Sequence, residues 1–275
     1  MSNFDNKIVV ITGGAGVLCS EMARAFAQEG ASVALIGRTE ASLQKVADDI
    51  VAKGGKAVSV KADVCSLDEL RQARVLIHEK FGPCDVLING AGGNHPDGIT
   101  SQPFFRTAEA ADDRSFFGLS ADGLRHVVDL NFMGTLLPTQ IFGRDMVERS
   151  GCSILNISSV AASPPLSKVV AYSAAKAAIT NFTQWLAVHL AKEGIRVNAL
   201  APGFFLTEQN RTLLTNPDGS LTDRGTRILD HTPMGRFGQP QDLTGAVLWL
   251  CSDEAKFVTG IVLPVDGGFL AYGGV

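Results

Sequence analysis

The sequence of 275 residues predicts an α/β fold: a single Rossmann-type doubly wound domain, with a seven-stranded parallel sheet flanked by helices. Three observations carry this expectation. Short apolar runs alternate with longer helical stretches from Lys7 to about Val265. The runs are continuously Val/Ile-rich, as strands buried on both faces must be. The first of them ends in a glycine-rich turn that opens a helix, the connection from which crossover units are built.

The runs KIVVIT (7–12), SVALIG (32–37), AVSVKA (57–62), DVLING (85–90), SILNIS (153–158), RVNALA (196–201) and IVLPV (261–265) read as the strands. Segments 20–30, 40–53, 67–81, 122–149, 171–193 and 240–252 read as amphipathic helices between them. No repeat, low-complexity tract or linker interrupts the series, so residues 1–275 are expected to form one domain. Two stretches break the rhythm: 91–121, rich in Gly, Pro, Phe and Asp, and 203–238, rich in Thr, Asn, Pro and Arg. Both follow the carboxyl end of a strand, where ligands bind in open α/β sheets, and connections of such length usually serve binding. They are the candidate substrate loops. Phe104, Phe105, Phe116 and Phe117 would anchor the first. Trp185 and Trp249, with apolar neighbours at helical spacing, read as core or subunit contacts.

Composition narrows the class. A net charge of −4 leaves no basic footprint for nucleic acid, and no apolar run reaches the ~18 residues of a membrane span. The start runs into a strand without the charged, apolar and small-residue series of a signal peptide, which points to the cytoplasm. Five cysteines without a C-x-x-C pair read as free thiols. The five histidines lack metal-ligand spacing, so no metal is expected.

The turn Thr12-Gly13-Gly14-Ala15-Gly16-Val17-Leu18-Cys19 places backbone N–H groups and the positive end of a helix against a pyrophosphate. Gly13, Gly14, Gly16, Val17 and Leu18 are the candidate contacts. Cys19 stands where a third glycine is usual, and its small side chain should be accommodated. At a helix N-terminus its thiol could also be activated, but buried packing is the expected use. The second strand ends Ile36-Gly37-Arg38, with no carboxylate for a ribose hydroxyl. Arg38 can pair with a phosphate, so NADP(H) is the expected cofactor. NAD(H) is the alternative, with Arg38 then stacked on adenine.

The chemistry is carried by Ser159, Tyr172 and Lys176. A phenol titrates near ~10, but residues i and i+4 share a helix face, so Lys176 should lower the Tyr172 pKa by charge proximity. Ser159 would hydrogen-bond the reacting oxygen. The set suits reduction of a carbonyl or oxidation of an alcohol.

With these residues in place, the chain resembles the short-chain dehydrogenase/reductases over essentially its whole length. The markers are the glycine-rich turn, Asp63-Val64, Asn89-Gly90-Ala91-Gly92, Asn131, Ser159, Tyr172, Lys176, Pro202-Gly203 with Thr207, and Asp266-Gly267-Gly268. The resemblance implies that Asp63 and Val64 contact adenine and that Asn89, Ala91 and Gly92 line the cofactor cleft. It also implies that Pro202, Gly203 and Thr207 hold the pyrophosphate or carboxamide end, that Tyr172 and Lys176 reach the nicotinamide end, and that Asn131 joins a proton relay.

The stretches AGGNHPDG, LNFMGTLLPTQ and HTPMGRFG, with the long run from Asn181 to Gly225, resemble the branch that interconverts D-fructuronate and D-mannonate. An acidic sugar needs a cation and several polar partners, and the candidates are Asn94, His95, Lys168, Gln209, Asn210 and Arg211. Asn94 and His95 can equally serve only to shape the turn before Pro96. The family is commonly tetrameric or dimeric, and the apolar residues on more than one face of 122–149 and 171–193 fit a homotetramer or homodimer. The rival readings are a reductase of another sugar or an oxoacyl substrate, and a cofactor-binding regulator without turnover.

Overall fold

The computed structural model describes residues 4–107, 114–207 and 210–274. Each apolar run is a strand: β1 (Ile8–Thr12), β2 (Ser32–Gly37), β3 (Lys56–Lys61), β4 (Val86–Asn89), β5 (Ser153–Ile157), β6 (Arg196–Pro202) and β7 (Val262–Val265). They form one sheet in the order β3-β2-β1-β4-β5-β6-β7, parallel at every pairing. Strand order reverses between β1 and β4, whose last residues Thr12 and Asn89 are partners in register. A crevice therefore opens above those two ends.

Alternate residues of each strand enter opposite cores. Val9, Ile11, Val33 and Leu35 face one, with Met22 and Phe26 of α1 (Val17–Gln28), Leu43, Val46 and Ile50 of α2 (Glu40–Ala52), and Val247 and Leu250 of the helix Thr244–Cys251. Ile8, Val10, Ala34 and Ile36 face the other. There they meet Leu70 and Ile77 of α3 (Leu67–Lys80), and Leu186 of the long helix Val170–Leu190.

Three expectations need correction. Segment 122–149 is not one helix: it divides into α4 (Ala121–Val128), a π-helical turn (Asp129–Met133), α5 (Gly134–Phe142) and a 3-10 turn (Gly143–Met146). Pro138 inside α5 has no N–H for the carbonyl of residue 134, and the side chain of Asn131 hydrogen-bonds main-chain carbonyls beside the π turn. The stretch 203–238 is not all loop. After α6 (Val170–Leu190) it contributes a single turn, α7 (Arg211–Leu214), and α8 (Asp223–Asp230), with α9 (Thr244–Cys251) following. Finally, Trp185 and Trp249 are exposed rather than core, and Trp185 stacks on His189. The rings of Phe105, Phe116 and Phe117 meet edge to face, yet all four of the loop phenylalanines are exposed.

A buried chain of polar side chains fixes the helices against the sheet. Asn156 of β5 donates to Thr183 Oγ1 of α6 at 2.9 Å and accepts from Asn89 Nδ2 of β4 at 2.8 Å. Asn89 also donates to Thr139 Oγ1 of α5, Thr139 to the carbonyl of Thr135, and Thr135 to the carbonyl of Asn131, each at 2.8 Å. Among the described residues, no group of three His, Cys, Asp or Glu could hold a metal ion, and no helix is long and apolar enough to cross a membrane. The five cysteines are free, with only Cys65 exposed.

Replacing Asn156 by Ala removes one hydrogen bond each from the buried Asn89 Nδ2 and Thr183 Oγ1, which keep Thr139 and the Ile179 carbonyl as their other partners. A lost hydrogen bond between buried groups costs about 0.5–1.5 kcal/mol. Urea unfolding of Asn156→Ala should show a loss of at least that order, and a loss smaller than ~0.5 kcal/mol would show that the chain does not hold the helices.

Candidate active site

The crevice is lined first by the turn after β1. Gly13 has φ +66°, and a Cβ there would lie 2.9 Å from the backbone of Ala91, so this close approach of the β1 and β4 ends needs glycine. Thr12 was not singled out as a site residue, yet its Oγ1 accepts from the N–H groups of Gly90 and Ala91 at 3.1 and 3.2 Å, fixing the two turns together. Its position at the end of β1 is the signal that could have found it. Gly14 donates to the carbonyl of Ile36, and Gly16 is the N-cap of α1. Val17 and Leu18 are the first residues of that helix, which has no side-chain cap and no acidic residue in its first turn.

Free N–H groups and an unopposed helix dipole at the crevice suit a pyrophosphate. The residues present therefore fit a nicotinamide dinucleotide. Cys19 is accommodated: a Cβ on residue 90 would lie 2.3 Å from its sulfur, so Gly90 supplies the space that residue 19 occupies. Burial pushes the Cys19 thiol up to about 12, which removes the reactive reading of this cysteine.

Toward the adenine end, Arg38 is exposed directly after β2, close enough for its charge to act on Cys65. Asp63 Oδ1 accepts from the Cys65 N–H at 2.9 Å, and the buried Val64 packs on Gly134. Asn89 is buried in the polar chain, so only its main chain borders the cleft, followed by Ala91 and Gly92. A Cβ on Gly92 would lie 2.7 Å from Asn131 Oδ1 and 3.3 Å from Lys176 Nζ, so those two groups flank the same glycine. On the other side, Pro202 ends β6, and Gly203 packs on Asp266. The N–H of Thr207 donates to Asn210 Oδ1 at 2.8 Å.

Ser159, Tyr172 and Lys176 come together at the end of β5. Ser159 Oγ accepts from the N–H of Ala161 at 3.1 Å and stands near enough to the Tyr172 phenol to lower its pKa. Tyr172 is in the first turn of α6, and Lys176 is one turn on, 4% exposed, with Nζ donating to the carbonyl of Ile157 at 2.7 Å. Nζ lies 5.5 Å from the centre of the Tyr172 ring.

The electrostatics differ from the expectation that Lys176 depresses the tyrosine pKa. Burial pushes the Tyr172 phenol above its ordinary value and the neighbouring Ser159 hydroxyl offsets only part. The ammonium is directed at Ile157, and its own pKa falls to about 8 because it is desolvated. At neutral pH the protein thus presents a protonated phenol beside a buried cation.

Asn131 is fully buried, with Nδ2 donating to the carbonyls of Gly93 and Val127 at 2.7 and 2.8 Å, and Oδ1 accepting from Gly93 N–H.

Beside Ser159 and Tyr172 lies a cavity of about 220 Å³, also lined by Asn94, Val160, Leu166, Val169, Gly203, Phe204, Asn210, Leu213, Leu214 and Arg224. Of the substrate candidates, the structure brings Asn94 and Asn210 to this wall. The Asn210 amide is already engaged with Thr207 N–H and Phe205 carbonyl. His95 does not line the cavity: its Nδ1 caps the turn at Asp97 and its ring lies against His126. Lys168, at φ +71°, gives its carbonyl to Thr100 N–H and also stands off. Arg211 does not line the cavity and already engages another group. Gln209 lies outside the described residues. Arg224 was missed, because on its short helix nothing in the sequence separates it from Arg227.

A dinucleotide crevice at the switch point, with serine, tyrosine and lysine meeting beside it, defines an oxidoreductase that uses a nicotinamide cofactor. The comparisons with known proteins agree. A family model described as enoyl-(acyl carrier protein) reductase matches residues 15–270, and the chain belongs to the short-chain dehydrogenase/reductase family. The uncharacterized oxidoreductase UxuB of Bacillus subtilis is 51% identical over 274 residues, 99% of this chain and 98% of its own. A crystal structure from Haemophilus influenzae, provisionally described as a D-mannonate oxidoreductase with bound NAD, is 48% identical and superposes with a TM-score of 0.96. It covers 100% of this chain and 99% of its own. A 7α-hydroxysteroid dehydrogenase complexed with NADH and 7-oxo glycochenodeoxycholic acid is 31% identical, with TM-score 0.83 and coverage of 97% and 96%.

The buried ammonium has a consequence for stability. With the Lys176 pKa lowered from 10.5 to about 8 in the folded chain, folding carries the full cost of the charge below pH 8, and sheds it between pH 8 and 10.5 as the folded state gives up its proton first. The stability of Lys176→Met relative to wild type should therefore be greatest at pH 7 and decline toward pH 10 in urea unfolding. A difference that does not vary with pH would contradict burial as the cause of the shift.

Proposed function

We propose that the chain is a D-mannonate oxidoreductase (fructuronate reductase), interconverting D-fructuronate and D-mannonate by hydride transfer with a nicotinamide cofactor. The observation that carries the reading is the cavity itself: it joins the Ser159–Tyr172 pair to polar groups and a cation in a space sized for a small polar molecule. The provisional description of the 48% identical Haemophilus structure supports the same substrate.

In this reading the cofactor supplies the hydride and the chain handles the proton. Tyr172, protonated at neutral pH, gives its proton to the carbonyl oxygen in reduction and takes one back in oxidation. Ser159 holds that oxygen and the phenol together, so charge developing on oxygen meets a fixed donor. Lys176 reaches the nicotinamide end and resupplies the proton. Asn131 and Lys176, flanking Gly92, are close enough for one water to complete a relay between them. The Asn131 amide also positions that relay by tying the π turn to Gly93.

The remaining cofactor contacts are proposed for Gly13, Gly14, Gly16, Val17, Leu18, Asp63, Val64, Asn89, Ala91, Gly92, Pro202, Gly203 and Thr207. NADP(H) is the proposed cofactor, because Gly37 offers no carboxylate to repel a ribose phosphate and the exposed Arg38 can pair with one. The alternative, NAD(H), is favoured by the NAD held in the Haemophilus structure. The enzyme is proposed to work in the cytoplasm as a homotetramer or homodimer, with Trp185 and Val188 of α6, Trp249 of α9 and the fully exposed Phe257 as the apolar surface that subunits would cover.

An assay of D-fructuronate reduction with NADH and NADPH in parallel tests both proposals. Turnover should be seen with kcat/KM higher for NADPH, and a large preference for NADH would reassign the cofactor. Tyr172→Phe should lose about 10²-fold or more in kcat while retaining cofactor binding, as read by the fluorescence of the reduced nicotinamide. Near wild-type turnover in that variant would remove Tyr172 from the chemistry.

A further inference from the structure

We infer that Arg224 is the residue that selects an acidic substrate, binding its carboxylate at the wall of the cavity that Ser159 and Tyr172 also line. The inference rests on the acidic-sugar reading above and names the group that would enforce it. Arg224 is the one charged side chain among the described residues lining that cavity. The other polar liners besides the reacting pair are the amides Asn94 and Asn210. The Asn210 amide already bonds the Thr207 N–H and the Phe205 carbonyl of its own turn, and Asn94 Oδ1 accepts from the His95 N–H.

The setting of Arg224 on its helix is a second, independent observation. It stands in the first turn of α8, after the N-cap Thr222 and Asp223, at the end of the helix where the dipole disfavours a cation. Arg227, by contrast, occupies the last turn, where a cation is favoured, and its Nε donates to the carbonyl of Asp223 at 3.2 Å. No hydrogen bond or ion pair to another described residue holds the guanidinium of Arg224. A cation placed against the local dipole, without a partner among the described residues and lining a cavity that contains the proton-handling groups, breaks a local rule where a binding site would break it. Arginine presents a planar fork that matches a carboxylate with two parallel hydrogen bonds. A substrate so anchored would be oriented as well as attracted, with its carbonyl directed toward Ser159 and Tyr172. Arg211, the sequence-based candidate, engages another group and does not line the cavity.

The test compares wild type, Arg224→Gln and Arg224→Lys on D-fructuronate and on its methyl ester, which keeps the reacting carbonyl and removes the charge. In Arg224→Gln the ratio of kcat/KM for acid over ester should fall by about tenfold or more, chiefly through KM for the acid. Arg224→Lys should recover part of the ratio, since it restores the charge without the fork. An unchanged ratio in Arg224→Gln overturns the proposal. If wild type does not reduce fructuronate, the same comparison is made with 2-keto-D-gluconate and its methyl ester. A preference for that acid that collapses in Arg224→Gln supports Arg224 and discards only the fructuronate reading. A wild type that prefers neither acid over its ester overturns the role of Arg224.

Discussion

The site depends on a buried line of hydrogen bonds that crosses the middle of the sheet. Thr183 of α6, Asn156 of β5, Asn89 of β4, and Thr139, Thr135 and Asn131 along α5 and the π turn form a continuous series. Every member except Thr139 is at most 1% exposed, and Thr139 is also buried. In an apolar interior an unpartnered polar group is costly, and of the side-chain atoms in this line only Asn89 Oδ1 has no partner among the described residues, so the bonds that are made favour one register of each helix against the strands. That register sets where Asn131 meets Gly93 and, one helix over, where the first two turns of α6 present Tyr172 and Lys176. The active geometry is thus a by-product of satisfying polar groups well below it.

Above this line, two opposing electrostatic effects meet at Tyr172 and Lys176. Charge proximity would lower the phenol pKa, and burial raises it; here burial wins because the ammonium is turned to the Ile157 carbonyl rather than to the hydroxyl. The same burial holds the lysine near a pKa of about 8, close to the pH at which it would exchange protons. A neutral phenol is the form suited to donate in reduction, while oxidation needs its proton removed. The two directions of the proposed reaction would therefore draw on opposite protonation states of Tyr172, and burial favours the donor.

Much of this was legible in the sequence, for identifiable reasons. Strands buried on both faces leave continuous apolar runs, and each of those runs became a strand of one parallel sheet. The glycine-rich turn was readable because only glycine tolerates the approach of Gly13 to Ala91. What failed to show was whatever depends on contacts between distant segments. The break of 122–149 at Asn131 arises from a hydrogen bond to Gly93, and apolar spacing continues through it. The direction of the Tyr172 shift depends on burial, which spacing does not report. Arg211 and Arg224 are alike as letters, and only the packing of α7 and α8 shows which of them lines the cavity.

That packing also explains how substrate choice can be separate from proton chemistry. Helices α7 and α8 form a small unit closed on itself: Thr215 bridges Leu221, Thr222 Oγ1 donates to the Leu213 carbonyl, and Gly225 fits so tightly under Leu214 that a Cβ would lie 2.3 Å from its oxygen. The unit is anchored by the buried Leu214 and Ile228 and takes no part in the polar line across the sheet. Its outer residues can change at little cost to the fold, since exposed positions usually move stability by less than about 0.5 kcal/mol. Ser159, Tyr172 and Lys176 have no such freedom, because their places follow from the register of β5 and α6. In the proposed reaction, the carbonyl-reducing residues are fixed to the sheet while α7 and α8 stand outside the polar line, so that the wall they form would decide which carbonyl is offered.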